Sequence, residues 1–133
     1  MSRSVACIDY RDGKIFIAKR QNVGDMGGRW EFPGGKIDEG ENCAETIRRE
    51  MMEEFGVDVT VGEHITSSTF EHKGKTCYLD AYIVHLAHDG IATKFALTEH
   101  TDYKWIPIEE IPDLYFVDSD LAIYPEVLKF LKK

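Results

Sequence analysis

The segment from Gly35 to Val57, GKIDEGENCAETIRREMMEEFGV, constrains this chain more than any other. Gly35 is followed after five residues by Glu41. Seven further residues lead to Arg49-Glu50, then Met51, Glu53-Glu54 and Gly56-Val57. Ala44, Ile47, Met51 and Phe55 recur at three- and four-residue intervals, the period of a helix's buried stripe. Glu50, Glu53 and Glu54 stand at i, i+3 and i+4 and share a neighbouring face. Carboxylates at that density repel one another unless a cation neutralises them, and an oxygen cage suits a hard ion such as Mg²⁺. The plainer alternative is an amphipathic helix with a solvated acidic face. The spacing predicts a helix that starts at Asn42 or Cys43 and ends at Gly56 with a left-handed cap. Ahead of it, Phe32-Pro33-Gly34-Gly35 sets a stiff residue before two permissive ones. Such a loop can fold back and present backbone carbonyls beside the helix.

Taken whole, the segment resembles the Nudix box, G-x5-E-x7-R-E-U-x-E-E-x-G-U, where U is a bulky aliphatic residue. Every fixed position is present, with Met51 as a mild departure at the first U; it is apolar and adaptable, so packing should survive.

The rest of the chain is consistent with that resemblance. At 133 residues it reads as one domain, 1–133, large enough for a proper core. Its net charge of −8 argues against long nucleic acids, which call for a basic stripe. A phosphate ligand remains compatible, because a cation can bridge carboxylate and phosphate oxygens. No apolar run reaches membrane-spanning length, and the start MSRSVACIDYRDG is too polar for a secretory signal. Cys7, Cys43 and Cys77 are dispersed and odd in number, as for reduced thiols in a cytoplasmic protein. The five histidines show no ligand spacing; His85 and His88 read as surface or core residues on one strand.

Residues 2–10 read as a strand, Asp12-Gly13 as a hairpin turn and Lys14–Arg20 as the returning strand. A loop covers 21–29. After the helix, 57–70 is β-rich with an interruption at Gly62, and a turn at Lys73-Gly74-Lys75 leads into a core strand over 77–88. A connection over 89–99, a short strand over 102–106 and a final helix over 121–131 complete the chain. The resemblance implies the α/β (α+β) Nudix fold: a curved mixed β-sheet sandwiched between helices, with the box helix on one side and the last helix on the other.

The resemblance also implies roles. Glu50 and Glu54 lead as metal ligands with Glu53 beside them, and a carbonyl of Gly34 or Gly35 completes the shell around Mg²⁺, for which Mn²⁺ can substitute. Arg49 orients a box carboxylate through a bidentate pair, or is a simple surface ion pair. Glu99, in LTEH, stands where MutT-type members place a loop glutamate, as general base or added ligand, unless it is an exposed carboxylate. The catalytic set is thus Glu50, Glu53, Arg49 and Glu99, with the base left open between a box glutamate and Glu99. Arg20 and Lys36 occupy phosphate-facing places, or are solvated charges. Asp120 aligns with a base-reading Asn or Asp, and suits equally the N-cap of the last helix. Tyr78 or Phe70 offers a stacking ring, with core or strand-surface roles as the alternative.

The activity implied is Mg²⁺-dependent hydrolysis of nucleoside triphosphates, damaged or modified dNTPs included, to a monophosphate and pyrophosphate. The partner is a small nucleotide, and the chain is a monomer or homodimer. An alternative is cleavage of ADP-ribose or a nucleotide sugar; enzymes of that kind often carry an additional N-terminal strand region, and this chain starts almost directly with its first strand. A non-catalytic nucleotide-binding module is disfavoured by the intact box.

Overall fold

The period-two pattern of the N-terminal segments and the 3.6-residue pattern of the box build a layered molecule. A computed structural model describes residues 2–86 and 88–133. The elements are β1 (Ser2–Ile8), β2 (Tyr10–Arg11), β3 (Lys14–Arg20), β4 (Trp30–Glu31), β5 (Gly34–Lys36), α1 (Cys43–Phe55), β6 (Thr60–His72), β7 (Lys75–His85), β8 (His100–Pro107) and α2 (Asp118–Leu131). Two four-stranded sheets form. In the first, the order is β5-β1-β7-β6, with β1 and β7 parallel and the other pairs antiparallel. In the second, β3 pairs with β8 along one edge and with β2 and β4 along the other.

Successive side chains of a strand point to opposite faces, and this chain fills both. Val5 and Cys7 of β1 and Phe16 and Ala18 of β3 join Ile47, Met51 and Phe55 of α1 in one core cluster. Their neighbours Ala6, Ile8, Ile15 and Ile17 join Ile123 and Val127 of α2 in the other. The helices therefore cover opposite faces, as expected. Met51 is fully buried, and burying such a side chain contributes roughly 1.5–3 kcal/mol.

The helix boundaries of α1 follow the expected signals. Asn42 is the N-cap: its side chain accepts from Glu45 N, and Glu45 accepts from Asn42 N in return. Gly56 closes the helix at φ 67°. Both hairpins hold two residues in the left-handed region, Asp12 and Gly13 in one and Lys73 and Gly74 in the other, the signature of a type I′ turn.

Five details depart from expectation. The strand over 2–10 is cut at Asp9, whose buried carboxylate accepts from Leu86 N at 2.8 Å and from Arg11 Nε at 2.9 Å. These bonds hold the chain where it leaves the first sheet for the second. Gly62 does not interrupt β6; the pairing with β7 shifts between Val61 and His64 instead, a bulge. The loop at Gly34-Gly35 is a short strand, β5, held by antiparallel pairing to β1. The core strand ends at His85; Ala87 lies outside the described residues, and His88 sits in a turn against the Asp58 carbonyl, not on the strand. Finally, α2 begins at Asp118, not Leu121, with Val117 at its N-cap position. Asp120 is therefore inside the first turn and caps nothing. Its carboxylate reaches across to accept from Phe32 N at 2.9 Å.

Candidate active site

Close approach explains the double glycine. A Cβ added to Gly34 would collide with the Val5 carbonyl, and one added to Gly35 would run into the Glu50 carboxyl group. Only glycine lets β5 lie against β1 and against α1 at once. This brings the Gly35 backbone beside Glu50, the first acidic side chain of the helix face.

Arg49 locks that loop to the helix. Its Nε and Nη2 take the two oxygens of Glu41 at 2.8 and 2.9 Å, a bidentate pair. Nη1 donates to Glu50 at 2.9 Å and to Glu53 at 3.4 Å, and Nη2 also donates to the Lys36 carbonyl at 3.1 Å. Glu41 further accepts from Thr46 Oγ1 and Asp38 N. Hydrogen bonds from Arg49 and Asp38 N hold the Glu41 carboxyl down at about 2. Arg49 thus makes its bidentate pair with Glu41, itself a box carboxylate, and a single hydrogen bond to Glu50.

Deeper in, the carboxylates crowd one another, and of these Arg49 reaches only Glu50. Glu50, Glu54 and Glu99 each offer an oxygen within 4.8 Å of the others. Burial, then the charges of Glu50, Glu31, Glu99 and Glu53, pushes Glu54 up to about 9. Burial also raises Glu50, against the pull of Arg49. Glu54 Oε2 is buried without a hydrogen-bond partner. An oxygen-rich, mutually repelling group with an orphaned acceptor fits a hard divalent cation, which would relieve the repulsion and satisfy Oε2.

A cavity of about 310 Å³ opens onto these groups, lined by Arg20, Gln21, Val23, Glu31, Glu54, Glu99 and His100. Arg20 donates from Nη1 to Glu31 at 3.1 Å, and its Nε is buried without a partner. His100 is buried, stacks on Phe55 with ring centroids 5.3 Å apart, and bonds through Nε2 to Glu31 Oε2 at 2.8 Å.

Of the residues singled out from the sequence, Glu54, Glu99 and Arg20 line this cavity, Glu50 clusters with Glu54 and Glu99, and Gly35 and Arg49 adjoin Glu50. Glu53 stands apart, half-exposed and turned to Arg49. Lys36 is exposed beside Gly35. Asp120 is buried, does not line the cavity and accepts from Phe32 N, and burial with the nearby Glu31 charge raises its carboxyl well above the usual range. Tyr78 is not brought to Asp120. It precedes Leu79, which faces α2, so it points to the other face, into a groove with Arg3 and Asp80. Phe70 does pack against the α2-side cluster. Glu31 and His100 were not anticipated; the only sequence signal for either is its place beside a motif, WEFPGG for one and Glu99 for the other.

The profile of the NUDIX domain matches residues 1–127, and the chain belongs to that family. It is 34% identical over 123 residues to the CTP pyrophosphohydrolase of Escherichia coli strain K12, covering 92% of this chain and 88% of that protein. Against the 8-oxo-dGTP diphosphatase of Proteus vulgaris, identity is 46% over 50 residues, 38% of this chain and 45% of that one. The solution structure of the E. coli ORF135 protein superposes with a TM-score of 0.82 at 32% identity, covering 97% of this chain and 89% of the other. The chain is a Nudix-type pyrophosphohydrolase.

Proposed function

We propose that this enzyme hydrolyses nucleoside triphosphates to a nucleoside monophosphate and pyrophosphate, with Mg²⁺ as its ion and Mn²⁺ as a substitute. The observation that carries the reading is the cluster of Glu50, Glu54 and Glu99, two of which, Glu54 and Glu99, line one cavity with Arg20. Glu50, Glu54 and Glu99 hold the ion, with a Gly34 or Gly35 carbonyl beside them. When bound, it neutralises phosphate charge and lowers the pKa of a coordinated water. Arg20 faces the phosphates and stabilises charge that spreads over phosphoryl oxygens in the transition state. Lys36, exposed beside Gly35, adds a second positive charge for the phosphates. Arg49 keeps Glu50 oriented, and Glu99 or a box glutamate takes the proton of the attacking water at the β phosphorus.

The nucleobase lies towards Asp120 and Phe70 on the α2 side. A buried Asp with a raised pKa offers either an acceptor or, when protonated, a donor. The relatives support a nucleotide of this class: one is named for CTP and another for 8-oxo-dGTP. The enzyme works as one domain on cytoplasmic pools, a reading supported by its three unpaired cysteines. No described helix is long and apolar enough to cross a membrane.

A screen of canonical and damaged nucleoside triphosphates in Mg²⁺, with products resolved by chromatography, tests the reading. Pyrophosphate and a monophosphate are expected. A sugar phosphate from ADP-ribose or a nucleotide sugar, with no pyrophosphate from any triphosphate, overturns it.

A further inference from the structure

Beside the proposed Mg²⁺ cage sits a nitrogen with nothing to bond. His100 Nδ1 is buried and unpartnered, in a side chain only 3% exposed. It lies 3.8 Å from Glu54 Oε1, in a side chain 4% exposed. That gap is too long for a hydrogen bond. Two metal–ligand bonds of about 2.1 Å each reach across it. Glu54 Oε2, also orphaned, belongs to the same carboxylate. Glu31, Glu54 and His100 offer one ligand atom each within 4.8 Å of one another.

The other ring nitrogen is occupied. Nε2 meets Glu31 Oε2 at 2.8 Å, and Glu31 is itself braced by Arg20 at 3.1 Å. A carboxylate accepts only, so the neutral ring carries its proton on Nε2 and offers the Nδ1 lone pair to a cation. A carboxylate behind an imidazole whose free nitrogen points at a second carboxylate is the arrangement that holds histidine on a metal. Stacking on Phe55 fixes the ring plane.

We propose that His100 Nδ1 and Glu54 form a second cation position for a borderline divalent ion such as Mn²⁺, Co²⁺ or Zn²⁺, with Glu31 as the positioning residue of the imidazole. It rests on the reading of Glu54 as a metal ligand given above. The neighbouring set of Glu50, Glu54 and Glu99 is all oxygen and suits Mg²⁺, whereas an imidazole donor favours the borderline ions. Glu54 is common to both, so the two positions form a pair bridged by one carboxylate.

The test uses the whole protein in saturating Mg²⁺, titrated with Co²⁺ by calorimetry and followed by proton NMR. One additional Co²⁺ per chain is expected. With it comes an exchangeable imidazole N–H resonance shifted far outside the diamagnetic range, from the Nε2 proton that Glu31 protects. His100→Gln should abolish both, and Glu31→Gln, which keeps the ring and its packing, should weaken Co²⁺ by about 10–100-fold. Unchanged Co²⁺ affinity in both variants, or uptake without the shifted resonance, overturns the proposal. A rise in Tm on adding Mg²⁺, expected because the ion binds the folded carboxylate cluster, is read alongside. Its absence, with the His100-dependent Co²⁺ signal intact, sinks the Mg²⁺ assignment and supports this one.

Discussion

Glu41 and Glu54 are thirteen positions apart in one motif, yet they inhabit opposite electrostatic worlds. Glu41 has a guanidinium, a hydroxyl and a backbone N–H on its oxygens, and its carboxyl is held down at about 2. Glu54 is buried among like charges with an orphaned oxygen, and its carboxyl is pushed up to about 9. The first arrangement is complete within the protein and ties the β5 loop to α1. The second is incomplete within the protein, and a buried polar group without a partner is costly to maintain. In a family of hydrolases, an unsatisfied site beside a satisfied one separates the group that receives a ligand from the group that holds the receptor in shape.

The largest effect expected from disturbing this contrast is at Glu54. Glu54→Gln keeps the size and removes the charge, so kcat should fall about a thousandfold, a barrier rise of about 4 kcal/mol. The metal-free variant should melt no lower than the wild type, because Glu54 is already protonated there and a neutral amide of the same size takes its place. Near-normal turnover at saturating Mg²⁺ would contradict the contrast. Glu41→Gln should instead lower Tm and loosen the loop.

Stability against pH should separate the pair further. Glu54 holds a proton in the folded state that the unfolded chain releases above about 4.5, so its contribution is present at low pH and lost as pH rises towards about 9. Glu41 behaves in the opposite sense: its contribution is present above about 4.5 and lost as pH falls towards about 2. The metal-free Tm should therefore decline on the alkaline side as well as on the acid side. Saturating Mg²⁺ should flatten the alkaline decline and leave the acid one, which thermal melts across pH with and without the ion will show.

Asp120 asks whether burial alone makes a carboxylate receptive. It is as buried as Glu54 but already accepts from Phe32 N. If it also reads the base, Asp120→Asn should shift the ratio of kcat/KM for dCTP over dGTP by about 1–3 kcal/mol. A fixed ratio with lowered Tm would make it a brace for Phe32 only. The smallest effect belongs to Asn42, whose capping box lies on the satisfied side. Asn42→Ala should cost about 1 kcal/mol in denaturant melts and leave metal affinity unchanged.

Local chemistry made much of this molecule legible in the chain alone. The limits of α1 follow from Asn42 and Gly56, both hairpins from residue pairs that tolerate φ above zero, and the two-sided core from alternation in β1 and β3. The acidic helix face follows from residues three and four apart. Each of these depends on neighbours within a few positions, where backbone geometry leaves few choices. What only the tertiary structure decided are partnerships between residues beyond the reach of local backbone geometry, from eight positions apart to 88. Arg49 takes Glu41 as its bidentate mate, Asp9 ties Leu86 and so cuts a strand in two, and Asp120 bonds Phe32 N instead of capping a helix. Tyr78 is kept from Asp120 because α2 packs on the face that Leu79 takes, a packing choice that alternation along β7 alone does not make. Glu31 and His100 meet because β4 and β8 both pair with β3, bringing together side chains 69 positions apart. Periodicity dictates which face a residue takes, but strand pairing dictates whom it meets there, and the unsatisfied atoms at Glu54 and His100 arise only once those meetings are made.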